Sequence, residues 1–188
     1  LVPEHVVDRL RECSKRMATR NLYLVNSLLS ILDRLREVGV PALPYKGPVL
    51  SETIYTDFSL RQSRDLDLLV RPGDLSDAEA ALLDHGFEPG RELTERQMER
   101  LARNARHRTV KKDGVIVEFH PRISRPDPPF ENAALFERAG SVDLAGASTP
   151  AIRPLDNLLI LAVHGTRHRW NQLKWISDIA YLIRNEDF

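Results

Sequence analysis

Apolar positions along the chain follow two periods. Val6, Val7, Leu10, Cys13 and Met17, then Leu22, Val25, Leu28, Leu29, Leu32 and Leu35, recur at steps of three and four. Residues 4 to 38 therefore read as helical, with one apolar stripe expected to pack into a core, and Gly39 as the stop. Val40, Ala42, Leu43 and Tyr45, interrupted by Pro41 and Pro44, predict a short strand. Lys46-Gly47-Pro48 then predicts a glycine turn into a helix that starts on proline and runs to Asp57, because a missing N–H costs nothing at a helix start. Leu66 to Val70 has strand character, and Pro72-Gly73 stops it. A helix is expected from Ser76 to His85, and a basic one from Thr94 to about Asn104 behind the capping pattern Thr94-Glu95-Arg96-Gln97.

Thr109–Lys111 and Val115–His120 flank Asp113-Gly114, a strong hairpin signal. A proline-rich loop, a short strand near Val142–Leu144, and helices over Pro154–Arg167 and Leu173–Arg184 complete the pattern. The order of elements is that of an α+β chain. It divides into an N-terminal helical segment (1–39), a core (40–150) and a C-terminal helical segment (151–188), with no internal repeat.

Composition narrows the class. The 188 residues hold 42% hydrophobic and 29% charged side chains, enough to bury a core and too apolar for disorder. No stretch approaches the ~18 uninterrupted apolar residues of a membrane span, and no exported leader is visible at the start. A single cysteine, Cys13, excludes an intrachain disulfide, so a cytoplasmic protein is expected. The chain begins at Leu1 without an initiator methionine and ends just after a helix, which leaves open that it is a piece of a longer one. Formal charge is zero, from 27 basic and 27 acidic groups, so a polyanion would have to be held by a local patch.

Candidate chemistry concentrates at Asp65-x-Asp67. Residues two apart on a strand share a face, so both carboxylates point one way while Leu66 and Leu68 point into the core. Two aspartates on an apolar strand call for a cationic neutraliser, and hard oxygens suit Mg²⁺ or Mn²⁺. Alternation in Val115–His120 sets Glu118 and His120 on one face, which offers Glu118 as a third carboxylate. Such a triad suits two-metal phosphoryl or nucleotidyl transfer. Lys46 and Gly47 at a strand-to-helix turn suit a phosphate chain, by exposed N–H groups and the positive helix end.

Other residues carry two readings each. Lys46 is a phosphate contact or a solvated turn lysine. Arg61 and Arg64 either support the site or pair structurally with Asp57 or Asp65. His120 is a base or ligand, or a hydrogen-bonded core histidine. His164 and His168 share a helix face, but Gly165 stands where a His-Glu-x-x-His zinc motif needs glutamate. Trp170, Lys174, Trp175 and Asp178 form a packing surface or the wall of a nucleotide or acceptor site. The basic run of Arg91, Arg96, Arg100, Arg103, Arg106, Arg108, Lys111 and Lys112 is a solvated face or a contact for triphosphate or acceptor.

Taken together, Lys46-Gly47, Arg61, Arg64-Asp65-x-Asp67-Leu68-Leu69-Val70, Val117-Glu118-x-His120, His164-Gly165-x-x-His168-x-Trp170 and Leu173-Lys174-Trp175-x-x-Asp178 resemble the uncharacterised nucleotidyltransferase family of the polymerase-beta-like superfamily. The resemblance covers about residues 40 to 184. It implies a mixed sheet flanked by helices and Mg²⁺-dependent (or Mn²⁺-dependent) transfer of a nucleoside monophosphate from a nucleoside triphosphate, ATP being expected, to an acceptor such as a hydroxyl. Onto this chain it carries Asp65, Asp67 and Glu118 as catalytic metal ligands and Gly47 as the phosphate-loop glycine. Lys46, Arg61, Arg64, His120, His168 and Lys174 are the accompanying candidates for nucleotide or acceptor binding.

Two departures are visible: Gly47 is followed by Pro48 where the superfamily usually has serine, and the third carboxylate is glutamate where aspartate is usual. They motivate an alternative, a noncatalytic module that binds NTP–Mg²⁺. The basic run motivates another, a toxin-like enzyme adding nucleotides to RNA. The acceptor class, whether small molecule, protein or RNA, stays open at this stage.

Overall fold

A computed structural model describes residues 2–90, 107–123 and 132–185. The basic helix expected from Thr94 to Asn104 and most of the proline-rich loop lie outside the described residues. Helix α1 spans Glu4–Glu37, and Gly39, at φ 74°, turns the chain out of it. Strand β1 (Ala42–Pro44) leads into α2 (Gly47–Tyr55), β2 (Leu66–Val70), α3 (Leu75–Asp84) and β3 (Glu88–Pro89). The hairpin β4 (Arg108–Lys112) and β5 (Val115–His120) turns on Asp113 and Gly114, both at positive φ, as an aspartate-glycine type I′ turn requires. Helix α4 (Asn132–Arg138), hairpin β6 (Gly140–Leu144) and β7 (Ala147–Ala151), and helices α5 (Pro154–Arg167) and α6 (Leu173–Asn185) follow.

Five strands form one sheet in the order β1-β2-β5-β4-β3. It is mixed: β2 runs antiparallel to β1 and parallel to β5. One face packs Leu66, Leu68, Val70, Val117 and Phe119 against α1 and α3 in the main core. On the other face Leu69 joins Leu135 of α4 and Ile160 of α5. Covering on both sides explains why all five residues of β2 are buried, Asp67 included, rather than alternating between core and solvent.

The first turns of α1 depart from expectation. Its buried residues begin only at Asn21. Leu10 is 63% exposed and Cys13 is exposed, so the stripe from Val6 to Met17 is not core, and Leu22 also faces out. Helix α1 packs mainly on α3 and α2, through its residues from Asn21 onward. Helix α4 and the second strand of the β6–β7 hairpin were not legible in the pattern. Ala145-Gly146 supplies the positive-φ pair of that turn, a weaker signal than Asp113-Gly114, and Pro150 within β7 reads as a strand breaker but is tolerated in this two-stranded sheet.

Candidate active site

The parallel register of β2 on β5 makes Asp67 the partner of Glu118 and Leu69 the partner of His120. Asp67, Glu118 and His120 thereby converge: one ligand atom from each lies within 4.8 Å of the other two. His120 Nε2 stands 3.0 Å from Asp67 Oδ1 and 3.3 Å from Glu118 Oε2. Its side chain is 15% exposed, but Nε2 itself is buried and makes no hydrogen bond of acceptable direction despite those short distances. Lys46, from the turn before α2, places Nζ 3.3 Å from Asp67 Oδ1. The Tyr45 hydroxyl is 3.5 Å from the same oxygen.

Electrostatics follow from this crowding. Burial alone would raise the Asp67 carboxyl, but the Lys46 ammonium and the nearby His120 hold it well below the usual range. His120 also lowers Glu118, against burial and the charge of Asp67. For His120, burial works against protonation and is outweighed by Asp67 and Glu118, which raise it. Asp65 is pushed up by burial and by the negative charges of Asp67 and Glu118. It therefore senses the cluster, although its carboxylate lies outside the group that converges within 4.8 Å.

These shifts give the metal-free protein a pH optimum of stability. The carboxylates of Asp67 and Glu118, lowered in the fold, stabilise it fully above about pH 4.5 and lose that contribution as pH falls. His120, raised in the fold, contributes fully below about pH 6.5, and that contribution is lost as pH rises through its elevated value. Urea midpoints of the chelator-treated protein are expected to fall at both extremes and to peak near the upper limit, because His164, lowered by burial to about 3, contributes fully above about pH 6.5 and loses that contribution as pH falls. A profile unchanged by Asp67→Asn would contradict the assignment.

Gly47 opens α2 at φ 63°, and a Cβ there would stand 3.4 Å from the Asp65 carbonyl oxygen. The left-handed backbone, more than the space, demands glycine. Gly47→Ala is expected to cost about 1–2 kcal/mol of stability. It should also weaken nucleotide binding, read together by denaturant unfolding and calorimetry.

Arg61 is drawn away from the acidic cluster. It is 6% exposed, and its Nε lies 2.9 Å from Asp178 Oδ2 on α6, so its structural partner is Asp178 rather than Asp57 or Asp65. Tyr55 donates its hydroxyl to the other Asp178 oxygen at 3.0 Å. The Asn21 side chain donates to the carbonyls of Phe58 and Arg61, and Ser51 Oγ donates to Asp57 O. These bonds fasten the loop that delivers Asp65 and β2. Arg64 is exposed beside Asp65, and Lys174 reaches the Gln62 carbonyl at 3.5 Å. Burial and the charge of Arg61 lower the Lys174 ammonium.

His168 caps α5, its ring against His164 and Trp175. His164 lies nearer the cluster, and burial with the charges of Lys46 and His168 pushes it down to about 3, so it is neutral. Gly165 lets the Trp170 ring lie on α5, where a Cβ would fall 2.3 Å from it.

Sequence reasoning passed over three side chains that shape the site. Tyr45 sits edge-on to the His120 ring at 5.5 Å, and the His107 ring stacks on it at 5.8 Å. The third is Asn21. Strand alternation pairs Tyr45 with Leu43 and was available as a signal; nothing local marks His107 or Asn21.

Two carboxylates and an imidazole whose Nε2 faces both of them form a donor set that fits a divalent cation. No helix among the described residues is long and apolar enough to cross a membrane.

Solved structures of similar fold are known. The solved structure of the antibiotic-resistance factor ANT(2'')-Ia superposes with a TM-score of 0.60 at 12% identity, covering 86% of this chain and 83% of that one. The lincomycin-bound lincosamide antibiotic adenylyltransferase LnuA superposes at 0.55 with 16% identity, over 84% of this chain and 94% of that one. At such identities the likeness is one of fold alone. No curated protein matches the sequence. All of residues 1–188 match a family described as uncharacterised nucleotidyltransferase, and the chain belongs to that family.

Proposed function

We propose that the protein transfers a nucleoside monophosphate from a nucleoside triphosphate, ATP in the first instance, to a hydroxyl of a small-molecule acceptor, with a divalent cation at Asp67 and Glu118. The observation that carries this reading is the registered pairing of Asp67 with Glu118 across parallel strands, beside the glycine turn that opens α2. When bound, the cation supplies charge neutralisation at the reacting phosphate and at the leaving pyrophosphate.

The chain's own residues do the rest. The N–H groups of Gly47 and Val49 at the start of α2, Pro48 having none, and the Lys46 ammonium receive the triphosphate. Lys46, pairing with Asp67 in the free protein, is positioned to exchange that carboxylate for a phosphate oxygen. Asp65, whose raised carboxyl is the more basic neighbour, adds charge at the edge of the cluster. The acceptor oxygen bonds to the α-phosphorus as the bond to the β-phosphate oxygen breaks. Pyrophosphate leaves, and the hydroxyl proton passes to Glu118, half-buried and open to one side.

A small-molecule acceptor is preferred over RNA because both structural neighbours are antibiotic-resistance or antibiotic-modifying proteins and the chain carries no net positive charge. The enclosed cavity beside the cluster, lined in part by Tyr45, Lys46 and His164, holds only about 20 Å³. That is too small for an acceptor, which therefore binds outside it. Pyrophosphate release over a panel of hydroxylated small molecules tests the proposal, with total RNA as the comparison. Release that requires RNA and ignores every small molecule would reject the acceptor class.

A further inference from the structure

We propose that His120 is a direct ligand of the cation, through Nε2, and that the site consequently prefers a first-row transition ion of the Mn²⁺ type to Mg²⁺. This rests on the reading that Asp67 and Glu118 hold a divalent cation. Strand alternation puts His120 on the face of Glu118, and register puts Asp67 alongside. The imidazole nitrogen is buried within 3.0 and 3.3 Å of the two carboxylates and bonds to neither.

Its ring has little freedom to turn elsewhere. Tyr45 stands edge-on to it, and the His107 ring lies nearly parallel to it, at 25° between planes. A buried imidazole nitrogen fixed in place at ion-pair distance from two carboxylates, with no well-directed hydrogen bond to either, is disposed as a ligand is, and a cation bound there would leave the imidazole proton on Nδ1.

The donor set then selects the metal. Mg²⁺ favours oxygen ligands and retains its waters, whereas imidazole suits transition ions. Mn²⁺ accepts both carboxylate and imidazole, so a site of two carboxylates and one histidine suits it better than Mg²⁺.

The test is pulsed electron paramagnetic resonance of the full chain loaded with Mn²⁺ in the presence of inorganic triphosphate, which contains no nitrogen. Wild-type protein is expected to show ¹⁴N coupling to the ion, converted to ¹⁵N coupling when its histidines are ¹⁵N-labelled. His120→Gln should lose the coupling and bind Mn²⁺ at least about tenfold more weakly, with a smaller change for Mg²⁺ in competition. His107→Gln should retain the coupling. Mn²⁺ bound with no nitrogen coupling in the labelled wild-type protein would overturn the role of His120 and leave the carboxylate site standing. Failure to bind Mn²⁺ at all would overturn both.

Discussion

Asp67→Asn is expected to lower turnover by about 10³-fold or more while the helices and sheet persist. Asp67 is 5% exposed and, among the described residues, is the one carboxylate that faces Lys46, His120 and Tyr45 together. Asparagine keeps the shape but removes the charge that a cation at this site requires, an effect of several kcal/mol on the transition state. Circular dichroism with turnover on a shared preparation separates the two contributions. Loss of activity in proportion to loss of folded protein would show that Asp67 is structural only. Glu118→Gln should behave similarly, because it sits opposite Asp67 on the neighbouring strand.

The largest stability effect is expected at the other end of the loop. Asp178→Ala leaves the Arg61 guanidinium buried without its carboxylate and should cost about 3–5 kcal/mol, read as a fall in the urea midpoint. The double change Arg61→Met with Asp178→Leu removes both charges and is expected to recover most of that loss. Breaking one partner strands a buried charge, whereas replacing both does not. Equal instability of the single and double variants would mean that packing around the pair, rather than its charge, holds the loop in place. Because Arg61 anchors the loop entering β2, Asp178→Ala should also reduce activity beyond its effect on folded population, without contact with substrate.

Much of the site was legible because strands have a period of two. Glu118 and His120 share a face of β5 as alternation predicts, whereas Asp65 stands just before β2 and its carboxylate lies outside the converging group. That β2 and β5 are parallel neighbours, with Asp67 opposite Glu118, is a matter of register, which no local pattern encodes. Arg61 illustrates a second limit. Its neighbours in sequence are aspartates, yet the partner lies more than a hundred residues away on α6, where burial makes the pair matter. The exposed first turns of α1 illustrate a third: periodicity announces an apolar face but not what covers it. Tyr45 was hidden by its own ambiguity, since a buried tyrosine reads as core until its hydroxyl is seen 3.5 Å from a carboxylate.

Whether the two carboxylates serve nucleotidyl transfer is tested most directly by following the phosphates. The protein is incubated with Mn²⁺ or Mg²⁺, an acceptor, and triphosphate labelled in separate reactions at the α and γ positions. Nucleotidyl transfer predicts α label on the acceptor, γ label in released pyrophosphate, and neither with Asp67→Asn. Transfer of the γ label to the acceptor, with the α label left on nucleoside diphosphate, would contradict it.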